Sequence, residues 1–148
     1  MRGILEHLHS SETLVTVTDM EAGLEHLKRG TLEHAETLLI VVEPYFKSLE
    51  AAGRIAELAR GLGVPGLYAV ANKVRSERDE AAIHDYCAGH DLPVVAVVPF
   101  DDDVAEAERL GQAVLDTAPA ALAVDRVRAL AGRLLANDLP EPMGRVAD

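Results

Sequence analysis

Leu38-Leu39-Ile40-Val41-Val42 is an uninterrupted apolar run with no polar face to offer to water. Strands buried on both faces read this way, and the strands of parallel sheets are buried on both faces. Leu14-Val15-Thr16-Val17-Thr18, Gly66-Leu67-Tyr68-Ala69-Val70-Ala71 and Val94-Val95-Ala96-Val97-Val98 share that character. Each is short, β-branched or aromatic, and bounded by Gly, Pro or a polar residue. Helical periodicity fills the intervals. Residues 48–62 put Leu49, Ala52, Ile55, Ala56, Ala59 and Leu62 on one stripe, ended by Gly61, Gly63 and Pro65. Ser76 and Asp79 have capping-box spacing for a helix through Cys87 that stops near Gly89. Asp101, Asp102 and Asp103 offer N-caps and dipole-favourable charge to residues 104–111. A last helix, about 119–136, carries Val124, Val127, Ala131 and Leu134 along one face. This alternation predicts an α/β fold, doubly wound, with a mostly parallel sheet of about four strands and flanking helices. One domain over residues 1–136 is expected, followed by a frayed tail over 137–148.

The 148 residues carry a formal charge of −11, with acidic side chains spread along the chain. Such a field repels nucleic acid and anionic lipid. Aromatics make up 3% and Trp is absent, too few for a base-stacking platform. No partnership with nucleic acid or membrane is therefore expected. No apolar run is long enough to span a bilayer, and the first residues lack a secretory signal pattern. Cys87 is the only cysteine, which rules out an internal disulfide framework or a Cys-x-x-Cys knuckle. A cytoplasmic location is the expectation. His7 and His9 are two apart and share no helical face, so no metal site is expected and Cys87 reads as a packing residue.

The first apolar run ends in Asp19-Met20-Glu21-Ala22-Gly23. An Asp closing a strand puts a carboxylate at the carboxyl edge of the sheet, where α/β folds bind ligands. Such a carboxylate suits Mg²⁺, usually through water, and Gly23 would let backbone N–H approach a phosphate. Taken alone, an Asp after a strand is equally a turn or cap residue. Glu21 and Glu25 could pair as acid and base, but read more simply as a solvated face balanced by Lys28 and Arg29.

The continuation carries a family resemblance. Asp19-Met20-Glu21-Ala22-Gly23, followed by Glu25-His26, resembles the switch II segment of the MinD/ParA-type P-loop ATPases. It is most like the carbon monoxide dehydrogenase maturation (CooC-type) branch. Val41-Val42-Glu43-Pro44 and Lys47-Ser48-Leu49-Glu50 resemble that family's next strand and helix. Asn72-Lys73 is similar to its Asn-Lys pair, whose asparagine contacts adenine, and Val98-Pro99-Phe100-Asp101 to the loop lining the other side of the base. The resemblance implies ATP and Mg²⁺ as ligands. It places Asp19, Glu21 and Gly23 on the phosphate and Mg²⁺ side, and Asn72, Lys73, Pro99, Phe100 and Asp101 on the adenine side.

The family's phosphate loop has no counterpart here. Lys28, Lys47 and Lys73 are the only lysines, none follows a glycine, and no Gly-x-x-x-x-Gly-Lys-Ser/Thr occurs. The paired cysteines of the CooC branch are also missing. The expectation is a truncated or split ATP-binding protein that is not an ATPase by itself. Because the family's P-loop strand lies between the switch II strand and residues 38–42, its loss predicts exposed ladder edges. A homo-oligomer or a P-loop-bearing partner chain would close them, and a metalloenzyme client is implied by the resemblance. The alternative is a non-catalytic α/β interaction module. A receiver-like signalling domain fits poorly, since Asp101-Asp102-Asp103 and Lys73 stand in inverted order for it.

Overall fold

The computed structural model describes residues 15–20 and 35–141. Three parallel strands, β1 (Thr37–Val42), β2 (Gly66–Val74) and β3 (Val94–Pro99), lie in the order β1-β2-β3. Crossover helices α1 (Phe46–Gly61) and α2 (Glu77–Ala88) join them. After β3 come α3 (Asp102–Arg109), the short α4 (Val114–Thr117) and α5 (Leu122–Leu135).

The α/β class and parallel sheet stand as expected, but the sheet has three strands among the described residues, not four. Residues 15–19 form no strand and are exposed, with Val15 at 68% and Val17 at 89%; Leu14 lies outside the described residues. A strand exists only where a neighbouring ladder accepts its N–H and C=O groups, and among the described residues β1 pairs with β2 alone. Apolar alternation marks what a segment could do in a sheet, and pairing decides whether it does so.

Two cores sit on opposite faces. Ile40, Val42, Leu67, Ala69 and Ala71 pack with Ala52, Ala56 and Ala59 of α1 and Ile83 and Cys87 of α2. The alanine stripe lets α1 approach the strands closely, at no cost in side-chain entropy. On the other face, Tyr68, Val70, Val95 and Val98 pack with Ala123 and Leu130 of α5. Each fully buried Val, Leu or Ile contributes about 1.5–3 kcal/mol, so both faces of β2 work for stability. At α2, Ser76 Oγ accepts from Asp79 N (3.2 Å), and Asp79 Oδ2 accepts from Arg75 N (3.0 Å). The return bond of this capping box therefore lands one residue before the cap.

The segment after α5, expected to fray, is docked at its start. Tyr68 donates its hydroxyl proton to the Pro140 carbonyl (2.9 Å), Arg133 donates to the Asp138 carbonyl (3.2 Å), and Leu139 packs on the second core. Residues 142–148 lie outside the described residues.

Candidate functional site

The carboxyl ends of the three strands and the turns that leave them form one edge of the sheet. β2 carries its ladder to Val74, past the expected end at Ala71, because its last residues include an irregularity. Ala71 pairs with Val97 and Val74 pairs with Pro99, so β2 spends three steps where β3 spends two. The extra residue is a bulge at Asn72-Lys73. It returns Val74 to the same core face as Ala71, which regular alternation over three residues would not do.

Lys73 has φ +54°, the left-handed region that a side chain with a Cβ seldom occupies. Its Nζ lies 3.1 Å from Glu43 Oε1 at the end of β1. That hydrogen bond, and then the charge of Glu43, raise the Lys73 pKa above its ordinary value. Glu43 is anchored in turn: its N–H donates to Ser48 Oγ (2.9 Å) and its carbonyl accepts from Tyr45 N (2.8 Å). Asn72 is half-buried. Among the described residues, no group hydrogen-bonds its side-chain amide.

The neighbouring loop is tied to the same bulge. Phe100 N donates to the Val74 carbonyl (2.9 Å), and the Arg75 guanidinium lies 3.4 Å from the Phe100 ring centroid, a cation–π stack. Asp101 is committed to architecture: its carboxylate accepts from Asp103 N (3.1 Å) and from Ala123 N (3.3 Å), capping α3 and holding the first turn of α5.

Of the residues picked from sequence, Asn72, Lys73, Pro99, Phe100 and Asp101 thus gather on adjacent strand ends, with Asp101 serving as a double cap. Asp19 stands in the exposed irregular stretch. Glu21 and Gly23 lie outside the described residues. Glu43 and Arg75 were given no role from sequence. The signal for Glu43 was available, since it closes an apolar run as Asp19 does, whereas nothing local announces that Arg75 would stack on Phe100.

A parallel sheet with helices on both faces is a doubly wound α/β fold, a class whose ligands bind at the carboxyl ends of the strands. The solved MinD cell division protein of Aquifex aeolicus has this fold, with a TM-score of 0.60 at 18% identity over 74% of this chain and 48% of its own. Residues 30–146 match the 4Fe-4S iron sulfur cluster binding proteins, NifH/frxC family. The chain belongs to that family and is a CooC-like member of the MinD/ParA-type P-loop ATPases. It is 37% identical over 135 residues to the carbon monoxide dehydrogenase accessory protein CooC of Rhodospirillum rubrum, covering 91% of this chain and 50% of that one. It is likewise 37% identical over 128 residues to an uncharacterized ATP-binding protein of Methanocaldococcus jannaschii, covering 86% of this chain and 49% of that one. The chain spans about half the length of these relatives.

An iron–sulfur cluster takes cysteine thiolates as ligands. Cys87, the only cysteine of the sequence, is 1% exposed in the core, and burial raises its pKa. These residues do not fit the cluster that gives the family its description. Among the described residues, no group of three or more His, Cys, Asp or Glu side chains is placed to hold a metal ion. No helix among them is long and apolar enough to cross a membrane.

Proposed function

We propose that this chain supplies the base-side half of an adenine-nucleotide site in a truncated or split CooC-like ATP-binding protein, and that it does not hydrolyse ATP alone. One observation carries the reading: the Asn72-Lys73 bulge and the Pro99-Phe100 loop, the two family adenine elements, lie side by side at the carboxyl edge of the sheet. The Asn72 amide offers a donor and an acceptor, as the edge of adenine requires. Pro99 fixes its own φ and has no N–H to compete for the base.

The phosphate side is unequal to the task in these residues. A triphosphate is held by backbone N–H groups of a glycine-rich loop and neutralised by its lysine, and the sequence has no such loop. Asp19, with Glu21 and Gly23, would hold Mg²⁺ and the terminal phosphate only beside a loop supplied by other polypeptide. That polypeptide is a P-loop-bearing partner chain or segment; a homo-oligomer is the other way to cover the β1 edge. The 37% identity to the accessory protein CooC supports a metalloenzyme client.

Calorimetry with Mg-ATP and Mg-GTP, combined with a phosphate-release assay, tests this reading. Weak binding that prefers ATP, with phosphate release at the buffer rate, is expected. Turnover of ATP by this chain alone at an ordinary enzymatic rate, abolished by Asp19→Ala, would overturn it.

A second reading, a non-catalytic interaction module, is favoured by Val41 at 59% and Phe46 at 74% exposure beside the one-sided β1. Association without any nucleotide binding in the same titration selects it.

A further inference from the structure

Three features of the carboxyl edge meet at one residue. Lys73 occupies a left-handed backbone conformation without being glycine or asparagine. It is the residue after Asn72 in the β2 bulge. Its ammonium is held across the sheet by a carboxylate on a different strand end.

A left-handed lysine costs about 1–3 kcal/mol relative to a relaxed backbone, so something around it must hold it there. The sheet does so on one side, where Val74 and Phe100 lock the strand after the bulge. On the other side the hold is Glu43, whose backbone is pinned by Ser48 and Tyr45. Bulges beside functional sites commonly re-aim a side chain, and Asn72 is the half-buried residue of this one.

We propose that Glu43 is a positioning residue of the base-side site: by holding Lys73, it keeps the bulge in the form that presents the Asn72 amide to a purine. The inference rests on the base-site reading above. Glu43 touches no ligand in it and acts only through Lys73. The backbone is what Glu43 controls, so its effect should vanish where the left-handed conformation comes free of the Lys73 side chain. Glycine provides that freedom.

The test uses the whole chain and Mg-ATP and Mg-GTP as probes, in four forms: wild type, Glu43→Gln, Lys73→Gly and the double variant. Glu43→Gln is expected to keep its melting temperature while losing about tenfold in ATP affinity, the equivalent of one well-made hydrogen bond, with GTP affinity unchanged. In ¹H–¹⁵N spectra without nucleotide, the Asn72 side-chain amide resonances should move in Glu43→Gln. In the Lys73→Gly background, Glu43→Gln should change neither the ATP preference nor the Asn72 resonances. A purely structural pair would change stability and leave the ATP-to-GTP ratio alone. If wild type prefers ATP and Glu43→Gln keeps both that preference and the Asn72 resonances, the positioning role falls and the base site stands. If wild type itself fails to distinguish ATP from GTP, the base site falls and the positioning role with it.

Discussion

Asp101, expected on the adenine side, braces two helices. Its carboxylate caps α3 through Asp103 N and reaches the first turn of α5 through Ala123 N. Asp101→Ala removes both acceptors and should lower stability by about 1–2 kcal/mol, as loss of a strong N-cap does. Asp101→Asn keeps an acceptor oxygen and should recover most of that loss in a urea melt. If both variants melt alike, the caps are not what Asp101 contributes. Cys87 gives a pH-dependent expectation. Burial raises its pKa in the folded protein, while the unfolded thiol ionises at about 8.5. Its contribution is therefore complete below the unfolded value and is lost as pH rises through the raised folded value. The melting temperature should fall more steeply above about pH 8.5 in wild type than in Cys87→Ala. A thiol reagent should label Cys87 only on unfolding.

The elements most legible in the sequence were those whose burial is complete. Residues 38–42 and 94–98, uniformly apolar, are strands within a residue or so of their expected ends. The stripe of Ala52, Ala56 and Ala59 does face the core. Misread were the places where another part of the molecule decides. Residues 15–19 have a strand's composition and, among the described residues, no ladder to join. The β2 bulge is invisible in Asn72-Lys73 because it is a mismatch in register between two strands, and one strand's sequence does not contain the other's. Four residues of the candidate site were legible as an ordered series of motifs, but Glu43 and Arg75 enter only through the packing of separate loops. Gly66 shows the same dependence. A Cβ there would sit 3.0 Å from the Glu36 carbonyl oxygen and 3.1 Å from Thr37 Oγ1, so the start of β2 is pressed against the residues that lead into β1. Gly66→Ala should destabilise the chain by about 1–3 kcal/mol, even though alanine loses less entropy than glycine in a strand. A thermal melt of that variant at or above wild type would show that the strands separate easily.

At the scale of the whole molecule, the sheet is asymmetric. α5 and the docked residues through Pro140 cover the β3 side and Tyr68, whereas Val41, Tyr45 and Phe46 stay exposed at 59%, 54% and 74% near β1. Under the proposed reading, that side is where other polypeptide adds. Light scattering during size exclusion at micromolar concentration should therefore report more than the 15.9 kDa of a single chain, and Val41→Lys should shift the population toward that mass. A clean monomer for wild type would remove the case for β1 as a joining edge. Among the described residues β1 pairs on one side only, and this also has a kinetic signature. Backbone amides of β2, bonded between two neighbours, can trade their protons for deuterons only when the sheet opens. Those of β1 that point away from β2 should exchange within the dead time of the experiment. A deuterium map of the free chain would draw a gradient of protection across three strands, and a partner that completes the sheet would erase it from one side.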